Sequence, residues 1–396
     1  MRAKKTTLGL YLHVPFCRCR CTYCAFFTRP AGEPQHRRAY VDALAREIRH
    51  VAETGRDLGH ARLPPQEGRV VDTIYIGGGT PSLLAPEQLR FLLLGIQDRF
   101  SVAPGAEVTL EANPETVTAA AADGWIAAGF NRVSLGAQTF DSSTLQALGR
   151  RHGPDTIVGA ARSLRRAGLG NLSLDLIAGV NPGSWREDLE RACALEPEHL
   201  SLYLLEVDQE ETGSRTLLAR QIERGQARVP EADWYADAYP EAVEILRSRG
   251  LERYEICNFS RPGHESRHNL KYWQNQDVLG FGPAASSLCD GVRFMVAADL
   301  GAYMKALEAD AEPAVRVDAV DAPTRAAELF ILGLRLERGI NLEEMEARAG
   351  SRLRTGQRRA LQRLARAGLL DREGDRLRLT TRGMLLSNEV FQAFLP

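Results

Sequence analysis

Tyr11-Leu12-His13-Val14-Pro15-Phe16-Cys17-Arg18-Cys19-Arg20-Cys21-Thr22-Tyr23-Cys24 sets four cysteines within eight residues, directly after an apolar run. With Cys19 left aside, the spacing is Cys17-x3-Cys21-x2-Cys24. Iron–sulfur clusters take thiolate ligands, usually four of them. Three thiolates can hold three irons of a [4Fe–4S] cube and leave the fourth iron open to an outside ligand. An open iron is a chemical site, whereas a fully ligated one only passes electrons. A structural zinc site calls for two separated cysteine pairs, and no second pair exists. Cys193, Cys257 and Cys289 stand alone, as small buried thiols often do. Seven cysteines leave one over in any disulfide framework, and no secretory apolar block precedes them. Cys19 is either an alternative ligand or a bystander thiol open to oxidation.

Working outward, the apolar and β-branched runs recur at 8–14, 71–76, 108–110, 132–135, 172–177 and 200–205. Helix-like stretches lie between them, at 39–51, 86–100, 118–128, 155–167 and 184–194. Ser184 three residues before Glu187 reads as a capping box. Gly129 and Gly168 read as helix stops. Strand–helix alternation predicts parallel strands joined by right-handed crossovers. Six strands make an open barrel, two short of the closed eight, and ligands in such folds sit at the carboxyl ends of the strands. The cysteine loop follows strand one and Gly77-Gly78-Gly79-Thr80 follows strand two. Glu111 ends strand three, Gln138 follows strand four, and Asp175 lies on strand five.

The expected organisation is therefore α/β. A partial (β/α)6 barrel occupies 1–206, a smaller mixed segment 207–320, and a winged-helix-like unit 321–396. In the mixed segment, 232–249 reads as a helix, 252–257 as a short strand, and 268–282 as an aromatic, polar stretch. In the last part, two helices meet at Gly350, and Glu373-Gly374-Asp375 marks a hairpin turn.

A chain of 396 residues with 44% apolar content buries a sizeable core, and a formal net charge of −1 argues against a whole-protein polyanion binder. No run approaches the ~20 apolar residues of a membrane span, which leaves only peripheral contact with a membrane open. The basic start, Met1-Arg2-Ala3-Lys4-Lys5, is expected to lead into a strand. A thiolate-held cluster calls for a reducing compartment, so the expected location is the cytoplasm.

The residues Tyr11-x-His13-x-Pro15-Phe16-Cys17 with Cys21 and Cys24 resemble the radical S-adenosylmethionine (SAM) superfamily, in its coproporphyrinogen-oxidase-like branch. The resemblance continues through Gly77-Gly78-Gly79-Thr80-Pro81-Ser82, Glu111-Ala112-Asn113-Pro114, Gly136-Ala137-Gln138-Thr139-Phe140, Leu148-Gly149-Arg150 and Asp175-Leu176-Ile177. It implies a radical SAM barrel with a helical C-terminal domain. It implies that Cys17, Cys21 and Cys24 hold a [4Fe–4S] cluster whose open iron is chelated by SAM. Gly78 and Gly79 would let backbone approach the methionine moiety, because glycine has no Cβ in the way. Tyr11 and Glu111 would lie near that SAM. Porphyrinogen-oxidising relatives hold a second SAM, and the matching positions here are Thr80, Gln138, Arg150 and Asp175. Phe16 and Tyr23 would shield the cluster.

Within the branch, oxygen-independent coproporphyrinogen III dehydrogenases carry an extra cysteine two positions after the third ligand. Phe26 stands there. Downstream, His268-Asn269-Leu270-Lys271-Tyr272-Trp273 is similar to the H-N-x-x-Y-W signature of the HemW haem chaperones. That resemblance implies a protein that binds haem and passes it to an acceptor, with haem donor and acceptor proteins as partners that the sequence does not name. Neutral imidazole is a good haem-iron ligand, and in a helix His268 and Tyr272 share a face. Cys257 and His264 are lesser candidates. The chain departs from the family at Cys19 and at Ala25, where an Asp is frequent.

Two other functions remain to be weighed. Oxidative decarboxylation of coproporphyrinogen III is the alternative within the branch. A regulator that reads its cluster and binds DNA is the alternative outside it, because Arg352, Arg354, Arg358, Arg359, Arg363 and Arg366 crowd one helix. Leu353, Leu361 and Leu364 give that helix a packed face, and no DNA partner is expected.

Overall fold

The computed structural model describes residues 7–205 and 216–395. The basic start at 1–5 and the first residues of the mixed segment lie outside the described residues. By their described residues, two compact units form: Met1–Asp175 with Glu206–Arg228 and Gln276–Asp318, and Leu176–Leu205 with Val229–Asn275 and Ala319–Pro396.

The first unit is a strand–helix alternation. Its strands are β1 (Thr7–Val14), β2 (Val70–Gly78), β3 (Ser101–Ala112), β4 (Arg132–Gln138) and the beginning of β5 (Leu172–Ala178). β1 pairs with β2, β2 with β3 and β3 with β4, all parallel. Leu8, Leu10, Leu12 and Val14 are all fully buried on β1, and Gly9, facing the other way, is buried too. Such near-continuous burial is what parallel strands covered on both faces require. Between the strands run α1 (Pro34–Thr54), α2 (Pro86–Gln97), α3 (Ala119–Ala128) and α4 (Pro154–Arg166). Each buries one apolar stripe; on α1 it is Tyr40, Val41, Leu44, Ile48 and Val51. α1, α2 and α4 open on proline, whose missing N–H costs nothing in a first turn. Thr118 caps α3 by accepting from the Ala121 amide at 3.1 Å, and Gly129 ends it at φ 106°.

Among the described residues the barrel does not close. The free side of β1 pairs in parallel with Val278–Phe281, and antiparallel strands Ser286–Cys289, Val292–Val296 and Val315–Asp318 continue outward from it. The stretch 276–318, expected as irregular, thus extends the sheet of the first unit.

The second unit holds the end of β5, the helix α5 (Trp185–Cys193) and β6 (His199–Leu204). Ser184 does not form the expected capping box. Its hydroxyl donates to Asp188 Oδ2 at 3.3 Å, because a short 3-10 turn at Pro182–Ser184 leads straight into the helix. Of the stretch expected as one strand at 252–257, only Glu252–Arg253 is strand, and a second strand, Asn258–Ser260, begins just beyond it. The cause is the buried Glu255, whose Oε1 accepts from the Cys257 amide at 3.0 Å and from the Asn258 side chain, turning the chain there. The C-terminal portion is winged-helix-like. Helices Ala322–Leu334, Leu342–Ala349 and Thr355–Arg366 accompany the three-stranded sheet of Ile340–Asn341, Arg376–Leu379 and Leu370–Glu373. Gly350 ends its helix at φ 65°, as the turn at that position requires. No helix among the described residues is long and apolar enough to cross a membrane.

Candidate functional site

The carboxyl ends of β1 to β5 gather the polar residues singled out in the sequence. β1 delivers Tyr11 and His13 on one face, since side chains two apart on a strand point the same way. The Tyr11 hydroxyl lies 3.0 Å from His13 Nδ1, and His13 Nε2 lies 3.0 Å from the Phe27 carbonyl. A carbonyl only accepts, so Nε2 carries the proton and Nδ1 accepts from Tyr11. Burial lowers the His13 pKa against the opposing pull of the Phe27 carbonyl, which keeps the ring neutral. His13 thereby ties β1 to the far side of the cysteine loop.

That loop is pinned along its length. Phe16–Cys17 pairs with Arg29–Pro30, closing its base. The Thr22 amide donates to the Leu148 carbonyl at 3.1 Å, and the Leu218 amide donates to the Thr22 carbonyl at 2.8 Å. Cys19 turns aside: its thiol donates to the Gly149 carbonyl at 3.2 Å. Phe16 packs edge-on against Tyr40, at 5.2 Å between ring centres, and belongs to the core beneath the loop. The Tyr23 hydroxyl is buried beside Cys21 and Arg150, and burial holds its proton firmly.

The donor set fits a polynuclear cluster. Burial pushes the Cys17 thiol up to about 11 despite the lowering contact with Thr80, and the other three cysteines add to the rise through mutual repulsion. Burial raises Cys24 likewise. Such thiols are protonated when empty and lose protons to a bound metal. Among the described residues, Asp277, Cys289 and Asp290 are the only three such ligand atoms all within 4.8 Å of one another. The sulfurs of Cys17, Cys21 and Cys24 do not form such a single-ion group. Asp277, Cys289 and Asp290 are held by Arg69, whose Nη2 lies 2.6 Å from Asp277 Oδ2.

The glycines above the loop are sterically required. A Cβ on Gly79 would lie 2.7 Å from the Phe16 carbonyl oxygen and 3.0 Å from Cys17 Sγ. Gly78, at φ 113°, would press a Cβ to 2.7 Å from the His13 ring. Gly78 also donates its amide to Glu111 Oε2 at 3.0 Å, while Tyr75 donates its hydroxyl to Glu111 Oε1 at 2.8 Å. Burial pushes the Glu111 carboxyl up to about 7, the Tyr75 and Gly78 donors working against it and Asp175 adding to it. Tyr11 stacks on Tyr75 at 6.2 Å.

The remaining residues are engaged within the protein. Thr80 donates to Cys17 Sγ at 3.5 Å. Arg150 donates to the Gly136 carbonyl at 2.6 Å, to Asn113 Oδ1 at 3.0 Å and to Cys21 Sγ at 3.6 Å. Asp175 accepts from the Ser134 hydroxyl at 3.0 Å. Gln138, buried at the end of β4, has φ 68°, a left-handed conformation that a side chain of this kind rarely adopts.

Tyr75, Asn113 and Ser134 were not among the sequence candidates. Strand alternation could have found two of them: Tyr75 lies two residues before Gly77, and Asn113 two after Glu111.

His268 belongs to the second unit. Arg267–Trp273 is a helix capped by Ser266, as the shared-face expectation requires. The imidazole is buried, its Nε2 lies 3.1 Å from the Tyr272 hydroxyl, and the two rings meet edge-on. The Arg335 guanidinium covers the Trp273 ring at 4.2 Å. Iron ligation through Nε2 would have to displace Tyr272.

The Radical SAM superfamily profile matches residues 11–193, and that of the HemN C-terminal domain matches 320–386. The chain is 36% identical to the heme chaperone HemW of Mycobacterium tuberculosis, over 98% of this chain and 94% of that one. It is 32% identical to HemW of Lactococcus lactis subsp. lactis, over 97% of this chain and 96% of that one. It is 32% identical to HemW of Bacillus subtilis, over 97% of this chain and 98% of that one. Among solved structures, coproporphyrinogen III oxidase (HemN) from Escherichia coli superposes with a TM-score of 0.83 at 23% identity, covering 98% of this chain and 90% of that one. That likeness is one of fold.

Proposed function

The chain belongs to the HemW family of radical SAM proteins, and on that premise we propose that it is a haem chaperone, binding haem and passing it to an acceptor protein. Cys17, Cys21 and Cys24 would hold a [4Fe–4S] cluster, with SAM on its open iron. When bound, that pair supplies one-electron chemistry at a site shielded by the barrel strands.

The chain's own residues do the holding. His13 fastens the cysteine loop to β1. Gly78 and Gly79 let the end of β2 pass closely over the His13 ring and the base of the cysteine loop, their amides held by Glu111 and by the Val14 carbonyl. Tyr11 and Tyr75 form an aromatic wall beside it. Gln138 ends β4 and Asp175 lies midway along the neighbouring β5, where ribose hydroxyls would find acceptors.

The observation that carries the reading is the presence of both signatures in one chain: the three-cysteine loop, and the His268–Trp273 helix typical of the haem-carrying relatives. Phe26 supports it. A decarboxylase of this branch would place a thiol at that position, and here an exposed phenyl ring stands there. Haem is the proposed ligand; donor and acceptor proteins are the proposed partners.

The test is anaerobic reconstitution followed by two assays on one sample. Haem titration is expected to give a saturable Soret band, and coproporphyrinogen III is expected to remain undecarboxylated. Turnover of coproporphyrinogen III with SAM consumption, and no haem uptake, would replace the chaperone with the dehydrogenase.

A further inference from the structure

An unbroken run of hydrogen bonds joins two of the three loop cysteines through Thr80 and Asn113, which follow β2 and β3, and Arg150, in a loop between two helices. Arg150 has only donors, so the oxygen of the Asn113 amide must face it, at 3.0 Å from Nη2. That fixes the amide's orientation. Its nitrogen then faces Thr80 Oγ1 at 3.3 Å and Glu115 Oε1 at 3.3 Å. Thr80, already accepting from Asn113, directs its one proton to Cys17 Sγ at 3.5 Å. At the other end, Arg150 Nη1 reaches Cys21 Sγ at 3.6 Å, while the Gly136 carbonyl holds Nη2 at 2.6 Å. Each link leaves the next only one way to point.

Resting on the reading of Cys17, Cys21 and Cys24 as cluster ligands, we infer that Asn113 is a positioning residue for the cluster, aiming Thr80 at the Cys17 sulfur and Arg150 at the Cys21 sulfur. Hydrogen bonds and positive charge at ligand sulfurs stabilise the more negative, reduced state of an iron–sulfur centre and raise its potential. Thr80, Asn113 and Arg150 therefore set how readily the cluster accepts an electron. A plain fold staple would hold the same strands together without touching that property.

The test compares wild type, Thr80→Val, Thr80→Ser and Asn113→Ala, each reconstituted anaerobically without SAM and titrated by electron paramagnetic resonance. At a fixed poise, Thr80→Val and Asn113→Ala are expected to lower the reduced-to-oxidised ratio about tenfold, equivalent to about 59 mV for one electron. Thr80→Ser, which keeps the hydroxyl, is expected to match wild type. Thr80→Val preserves the side chain's shape and is decisive if Asn113→Ala assembles poorly. A wild-type cubane whose potential is unmoved in Thr80→Val overturns this inference alone. A wild-type chain that assembles no cubane overturns the cluster reading and this inference with it.

Discussion

Glu111 accepts the Gly78 amide at 3.0 Å through a half-buried carboxyl whose pKa desolvation pushes up to about 7. A carboxyl raised from 4.5 contributes stability that is fully present below about pH 4.5 and is lost as pH rises through 7. The full swing is about 3 kcal/mol at 1.36 kcal/mol per unit. The metal-free protein should lose thermal stability across that window, and Glu111→Gln should lose less. Melting curves of both proteins from pH 4 to pH 8 check this; parallel profiles would contradict it.

Gly78→Ala should destabilise by about 1–3 kcal/mol, because its φ of 113° and the His13 ring 2.7 Å from a new Cβ both resist a side chain. Gly95→Ala is the counterpart. It lies inside α2 with nothing within 4 Å of a new Cβ, so alanine should stabilise by about 0.5–1 kcal/mol. Urea denaturation of the two variants should move in opposite directions.

His268→Ala should weaken haem binding at least tenfold, while Tyr272→Phe, which frees Nε2, should bind haem at least as tightly as wild type. Spectral titration measures both. A Tyr272→Phe variant that loses haem as His268→Ala does would show that the pair only braces its helix.

SAM should bind with a stoichiometry of one per cluster. Thr80 and Arg150, two of the residues matched to a second SAM, already commit their polar groups to Cys17, Cys21, Asn113 and Gly136. Equilibrium dialysis of the reconstituted protein reads the number directly, and a value of two would mean that those contacts yield to ligand.

Local pattern made much of this molecule legible. Apolar runs located β1, β2, β4, β5 and β6, and glycine stops at Gly129, Gly168 and Gly350 fell where left-handed turns occur. Strand β3 was legible only at its end, because Pro104 and Gly105 interrupt the pattern; the pairing of Val70 with Ser101 extends it in the fold. The strands beyond Val278–Phe281 were not legible, since their order depends on pairing with β1, far away in sequence. Spacing placed the cysteines, but not the aside taken by Cys19 or the contact between Asn113 and Arg150, 37 residues apart. The positive φ of Gln138 has no compositional mark at all.

The most direct test of the account is the iron and sulfide content, with the paramagnetic spectrum, of the anaerobically reconstituted chain. Wild type and Cys19→Ser are expected to carry one [4Fe–4S] cluster each, and the Cys17→Ala/Cys21→Ala/Cys24→Ala variant none. A cubane that survives in the triple variant, or is lost in Cys19→Ser alone, would contradict it.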